Sequence, residues 1–326
     1  MDLYKYLLPL IFLCGTVLIA AEKPGTTRIA KWKDDKACAF ILMFDDSSST
    51  HVKHVFPELQ KRNLTGTFYI NPGSGHYRAN REFWEKTLPG AGFELGNHTM
   101  THKGGDSKAE VETEVTECNE VLHKLTPDAP WPRLVSFAKP GGLKKGKWPL
   151  TPEEHAALLA ENHLIQRPNF SGRGAQVAFK TGGQMLAHVD KAVKNESMEC
   201  IIFHGVGGDW ISIPLPEFIT LLDGLTERKE QVWVTHHMAA YKYSKARDDA
   251  SVKITATTSN QISLQLSSNL DPELYDQKLT LVTVVPSTWE TCLVRQGEEV
   301  TEIEIQNNFV RYDAMPGTDL IIIHKK

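Results

Sequence analysis

The chain has 326 residues, is 41% hydrophobic, and mixes 36 basic with 40 acidic residues to a formal charge of -4. That length and apolar content suffice for one large core, or a large and a small one, and exclude a disordered chain. The charges are interspersed and leave no basic stripe to hold phosphates, so nucleic acid is excluded as a partner, and nothing in the sequence indicates a protein partner.

The chain opens on Met1-Asp2-Leu3-Tyr4-Lys5 and an apolar run from Tyr6 to Ala21, which fits an export signal with one basic residue ahead of its apolar stretch. The run is shorter than the ~20 apolar residues that span a bilayer. Residues 1–21 are therefore expected as a signal peptide, cleaved near Ala20 or Ala21 or kept as a membrane tether, and the product as periplasmic or extracellular. Cys38 and Cys200 lie in apolar strand patterns, Cys118 lies on an apolar helix face, and Cys292 completes an even set after cleavage. Buried free thiols are the expectation.

From Ala37 to about Tyr243, short apolar runs alternate with amphipathic stretches, the pattern of an α/β fold with mostly parallel strands. Strands are predicted at 37–44, 67–70, 93–96, 134–138, 164–167, 199–203 and 231–235, and seven such units imply a distorted (β/α) barrel. Ser107 with Glu110 spells a capping box ahead of Val111, Val115, Cys118, Leu122 and Leu125; Thr151, Pro152 and Glu154 start another helix. Pro214 to Pro216 open a third, with Phe218, Leu221, Leu222 and Leu225 on one face. Beyond Arg247 the chain turns β-rich without helices, with runs at 252–256, 262–266, 279–285, 291–294, 300–305 and 320–324 that predict a small antiparallel sandwich. The expected division is a signal at 1–21, a barrel at 22–247 and an accessory β-sandwich at 248–326.

Parallel barrels gather reactive groups where their strands end. The first run ends in Phe44-Asp45-Asp46, the third in Asn97-His98-Thr99-Met100-Thr101-His102, and the sixth in Phe203-His204-Gly205. His98 and His102 are four apart, which on a helical turn puts both imidazoles on one face and suits two nitrogen ligands for one metal. An Asp from another strand completes a facial set with positions left for substrate, as in catalytic zinc sites. Alone, the His pair reads as a helix surface and Asp-Asp as a turn or a cap. Their joint placement at strand ends is what favours a site.

These residues carry a family resemblance. FDD after a strand, then NHTMTH, then FHG, within ACAFILMFDDSSS, LQKRNLTGTFYINP, GFELGNHTMTH and IIFHGVGGDW, look like the polysaccharide deacetylases with a NodB-homology domain, carbohydrate esterase family 4, over about Lys31 to Tyr243. The resemblance implies a hydrolase that removes acetyl groups from a polysaccharide or oligosaccharide, as N-acetyl amides or O-acetyl esters. It also implies Asp45 as general base, Asp46, His98 and His102 on a divalent metal, and His204 as general acid. Zinc is the default ion for such mixed donors, and cobalt, nickel or manganese also fit.

One departure stands out. Many members place an Arg two residues before the proline of the third motif to hold the catalytic Asp, whereas Phe137-Ala138-Lys139-Pro140-Gly141-Gly142 has Ala138 there. Arg167, closing the next apolar run, either clamps Asp45 instead or is a solvated strand-end charge. Pro140 and Gly141 are expected supports of the site. Trp210, Tyr69 and Trp148 are expected either as stacking faces for sugar rings or as packing. Asp209 either orients His204 or belongs to a turn, and His236 and His237 follow the last strand near the expected mouth. The missing Arg also leaves open a carbohydrate-binding chain without turnover.

Overall fold

The computed structural model describes residues 23–170 and 174–326, and the expected signal segment at 1–21 lies outside them. Among the described residues no helix is long and apolar enough to cross a membrane. Strand β1 (Thr27–Ile29) precedes the barrel, whose strands are β2 (Cys38–Phe44), β3 (Thr67–Ile70), β4 (Glu94–Asn97), β5 (Val135–Phe137), β6 (Leu164–Gln166), β7 (Met198–Phe203) and β8 (Val232–Thr235). All seven form where the apolar runs lie, and every pairing among them is parallel.

The order is β6-β5-β4-β3-β2-β7, with β8 beside β2. Strand β2 pairs with β7 along Ala39 to Phe44, with β8 over Cys38 to Ile41 and with β3 at Met43 and Phe44, and all seven of its residues are buried. A strand covered on both faces reads as an unbroken apolar run, here CAFILMF. No pairing joins β6 to β7 among the described residues, so the distorted barrel is an open half-barrel.

Helices α1 (Phe56–Lys61), α2 (Gly75–Ala79), α3 (Lys108–Leu125), α4 (Pro152–Glu161), α5 (Ala175–Ala178), α6 (Gly182–Asn195), α7 (Leu215–Glu227) and α8 (His237–Asp249) lie between and after these strands. Thr151 and Glu154 form the full reciprocal capping box of α4. At α3, Ser107 accepts from the Glu110 amide, but the Glu110 carboxylate accepts from the Asp106 amide instead. Val111 and Val115 of α3, Met185 and Val189 of α6, and Phe218 and Leu221 of α7 pack with Phe40, Leu42 and Phe44 into the main core. Phe44 stacks on Phe68 and Phe203 at 4.8 and 5.4 Å, a stiff aromatic layer under the strand end that carries Asp45.

Strands β9 (Ser251–Thr257), β10 (Gln261–Ser267), β11 (Leu279–Val284), β12 (Thr291–Gln296), β13 (Glu299–Glu304), β14 (Phe309–Ala314) and β15 (Ile321–Lys325) build two antiparallel sheets, ordered β1-β11-β14 and β13-β12-β15-β10-β9. Ile262, Leu264, Leu281, Trp289, Tyr312 and Ile323 fill the space between them. Two strands escape the sequence patterns. Burial along β14 alternates strictly, so only Val310, Tyr312 and Ala314 mark it as core, and β1 is three residues long. Because β1 pairs with β11, the second unit takes a strand from ahead of the barrel and is not made of 248–326 alone. Cys38, Cys118, Cys200 and Cys292 are buried free thiols, as expected.

Tyr243 on α8 ties the units together: its hydroxyl donates to the Ala30 carbonyl at 2.9 Å and accepts from the Thr280 amide at 3.3 Å. Tyr243→Phe should lower the free energy of unfolding by about 1–2 kcal/mol in urea denaturation. An unchanged midpoint would show that this hydroxyl does not hold the junction.

Candidate active site

Asp45 and Asp46 follow β2, His98 follows β4, Arg167 follows β6 and His204 follows β7, so the polar groups rise from four strand ends on one rim. Irregular backbone aims them. Asp46 and Ser47 have φ of 72° and 49°, which turns the chain sharply as it leaves the sheet. The stretch from His98 to His102 is not the helical turn expected from its spacing: Thr99 and His102 have φ of 67° and 63°, and the two imidazoles meet because the chain loops back on itself. Asn97 Oδ1 accepts from the Thr99 amide at 2.9 Å, and Asn71 Nδ2 donates to the carbonyls of His98 and Thr99 at 2.5 and 3.1 Å. Glu114 of α3 accepts from the Thr101 amide and hydroxyl at 2.8 and 2.5 Å.

Asp46 Oδ1 lies 3.4 Å from His98 Nε2 and 3.5 Å from His102 Nε2. The three donor atoms are all within 4.8 Å of one another. His98 Nδ1 donates to the Ala138 carbonyl at 2.7 Å, which leaves the Nε2 lone pair directed at Asp46. One carboxylate oxygen and two imidazole nitrogens on a common point form a donor set that fits a divalent cation with further coordination positions open.

Asp45 is 2% exposed and Arg167 grips it with both ends of its fork, Nη1 to Oδ1 at 2.5 Å and Nη2 to Oδ2 at 2.8 Å. The clamp is therefore the alternative the structure adopts, and Arg167 is not a solvated charge. Strands β6 and β2 are separated by β5, β4 and β3, so this pair spans the inside of the half-barrel. Burial alone would push the Asp45 carboxyl up, but Arg167, with His98 and His204, outweighs it and holds the group below the usual carboxylate range. Burial opposes the charge on Asp46 too, and His98 and His102 overcome it. Burial would lower His98, yet Asp45 and Asp46 raise it; His102 is lowered by burial and by the charge of His98.

His204 Nε2 stands 3.8 Å from Asp45 Oδ2 and 3.9 Å from Asp46 Oδ2. It faces a cavity of about 280 Å³ lined also by Asp46, Asn71, Ser74, His76, His102 and Trp210. His51 donates from Nε2 to the His204 carbonyl at 2.5 Å, and Thr50 Oγ1 accepts from the Val206 amide at 3.2 Å. Gly174 closes the other edge of the imidazole: its φ is 106° and a Cβ would stand 2.9 Å from His204 Nδ1, so glycine is required there. A larger groove of about 460 Å³ on the sandwich, lined by Arg28, Phe309 and Arg311 among others, contains none of these groups.

Several expected neighbours sit elsewhere. Asp209 does not orient His204; it accepts from the Ser48 hydroxyl and from the Thr50 amide at 2.7 Å, tying the loop after β7 to the turn after β2. Trp210 is 65% exposed at the cavity rim, edge-on to His204, but Tyr69 is wholly buried and can stack on no sugar. The Tyr69 ring lies 4.8 Å from the Arg167 guanidinium instead. Trp148 packs on Phe137 and His155. Pro140 is buried, and neither it nor Gly141 lines the cavity. His237 is buried, and His236 contacts Thr65 and the Gly92 carbonyl, away from the mouth. Asn71, Glu114 and His51 lack any motif signature, since their roles arise only from distant partners.

Arg167→Ala should leave a buried carboxylate unpaired and lower stability by about 3–5 kcal/mol at neutral pH, read by chemical denaturation. Depressed carboxyls such as Asp45 and Asp46 stabilise the chelator-treated fold above the ordinary value near about pH 4, and that contribution is lost as pH falls through the depressed values. Between about pH 6 and pH 3 the wild type should therefore lose more stability than Arg167→Ala, which has already forfeited the Asp45 share. Equal slopes would refute this account of Asp45.

Residues 33–148 match the family model described as polysaccharide deacetylase. A gellan lyase from a Bacillus species is 22% identical over 328 residues, covering 89% of this chain, which spans only 13% of that protein. Among solved structures, a family 4 pseudoenzyme from Bacillus anthracis is 16% identical with a TM-score of 0.42, over 61% of this chain and 63% of its own. A family 4 acetyl xylan esterase from Clostridium thermocellum, solved with a cobalt ion, is 18% identical with a TM-score of 0.43, over 62% and 90%. A peptidoglycan deacetylase from Bacillus subtilis is 14% identical with a TM-score of 0.40, over 65% and 93%. The stretch 33–148, which holds Asp45, Asp46, His98 and His102, is thus similar to the polysaccharide deacetylase family model.

Proposed function

We propose that the chain is a metal-dependent hydrolase that removes N- or O-linked acetyl groups from a polysaccharide or oligosaccharide. The reading is carried by the convergence of Asp46, His98 and His102 on one point, beside an Asp45 carboxylate kept ionised by Arg167. A divalent cation held by these three, zinc by preference with cobalt, nickel or manganese as alternatives, supplies Lewis acidity that polarises an acetyl carbonyl and acidifies water.

The chain's own groups do the rest. Asp45 stays an ionised acceptor across the neutral range, and its Oδ2 lies on the His204 side, placed to take a proton from attacking water. His204 Nε2 delivers a proton to the departing sugar nitrogen or oxygen from across the cavity. An amide nitrogen needs that proton most, since it leaves poorly as an anion. The exposed Trp210 ring offers a face to a pyranose. Catalysis is assigned to the barrel within 22–247, an accessory role to the sandwich that 248–326 forms with β1, and export to the segment at 1–21. Ala138 no longer argues for a binding chain without turnover, because Arg167 supplies the guanidinium that position lacks.

Acetate release from acetylated chitin, peptidoglycan and xylan fragments should appear in the metal-loaded protein and vanish on chelation. His98→Ala should lose bound metal, whereas Asp45→Asn should keep it and turn over about 10²–10⁴-fold more slowly. Absence of acetate from every substrate would sink the reading.

A further inference from the structure

We propose that Tyr69 is a positioning residue for this site: its ring is the seat on which the Arg167 guanidinium rests, and through Arg167 it sets the Asp45 carboxylate. The inference rests on the deacetylase reading for its activity measurements. A bidentate pair fixes a guanidinium within its plane, yet leaves it able to tilt about the line joining the two hydrogen bonds. Something must support one face, and the Tyr69 ring does so at 4.8 Å from Cζ.

The seat is itself held on several sides. The Tyr69 hydroxyl hydrogen-bonds with Ser136 Oγ at 2.8 Å, and Ser136 Oγ with His237 Nδ1 at 2.7 Å. The His237 backbone amide donates to Thr67 Oγ1 at 3.0 Å and to Glu94 at 3.1 Å, which fixes the start of α8 against β3 and β4. Burial and the nearby Arg167 push His237 down to about 3, so it stays neutral and brings no charge to compete for Asp45. On β4, a Cβ at Gly96 would come within 2.6 Å of Tyr69 Cδ1, so only glycine there leaves the slot in which the ring lies. Ala138 is buried in the same cluster as Tyr69 and Met43. Its small side chain stands where the family resemblance leads one to expect an Arg, and the guanidinium arrives from β6 instead. Neither Tyr69, Ser136, His237 nor Gly96 lines the cavity, so their influence on turnover passes through Arg167.

The test compares Tyr69→Leu, Tyr69→Phe and Gly96→Ala in the metal-loaded full chain, measuring kcat, KM, bound metal and the NMR signals of the Arg167 Nη protons. Tyr69→Leu removes the supporting face and should lower kcat by about tenfold or more, with KM and metal content unchanged. Tyr69→Phe keeps the face and loses only the hydroxyl, so it should restore kcat to within about threefold of wild type. Gly96→Ala displaces the ring and should follow Tyr69→Leu; should Tyr69→Leu not fold, Gly96→Ala decides. A merely structural role would lower stability while leaving kcat per folded molecule unchanged, and that result would overturn the proposal. The Nη signals judge the seat without turnover: they should be sharp and slow to exchange with water in wild type and Tyr69→Phe, and broadened in Tyr69→Leu, where the guanidinium tilts and its two hydrogen bonds weaken. If wild type releases no acetate, the deacetylase reading fails while the spectrum still decides this one. If acetate release and spectrum both survive Tyr69→Leu, the seat alone is wrong.

Discussion

A carboxylate sealed from water next to a second carboxylate stays charged only if a cation meets it, and for Asp45 that cation is Arg167. The rest of the site is arranged around this pair. Because the guanidinium comes from β6 and the carboxylate from β2, the sheet must curl far enough for two non-adjacent strand ends to touch across its hollow. The two acids then take different main partners. Asp45 is clamped by Arg167 and Asp46 faces the imidazoles of His98 and His102, while His98 and His204 also lie within 4 Å of Asp45.

The proton-handling groups are also bound into one frame. The turn after β2 and the loop after β7 are stitched by Asp209 to Ser48 and Thr50, by Thr50 to Val206, and by His51 to the His204 carbonyl. The imidazole and the two carboxylates it faces are thus carried by segments that cannot drift apart without breaking several buried or part-buried hydrogen bonds. Such a frame suits chemistry in which placement contributes a large share of the rate.

What the sequence made legible was what local pattern encodes. Unbroken apolar runs marked the buried parallel strands, and DD, HxxxH and FHG sat at their ends, so fold and donor set could be read together. The geometry joining them could not. The spacing of His98 and His102 suggested a helical turn because a helix is the commonest way to align residues four apart, yet left-handed backbone at Thr99 and His102 achieves it. Arg167 could be named as a clamp but not chosen over a solvated charge, since its partner lies 122 positions away. Tyr69 could be named as a sugar platform or as packing but not decided, because a strand-end aromatic does not disclose which side of the strand it faces. Strand β14 was lost to its alternation, and β1 to its brevity.

The pairing of β1 with β11 has a further consequence. Thr27 and Thr283 share a hydrogen bond across 256 positions, so the whole half-barrel is looped out between two neighbours of one sheet. As the chain is synthesised, the first of these strands must wait for its partner until the residues up to Val284 have emerged. High contact order of this kind slows the closing step relative to the helices and local strand pairs that precede it. The small sheet then acts as a clasp fastened last, and no single cut in the backbone can release the sandwich with all its strands.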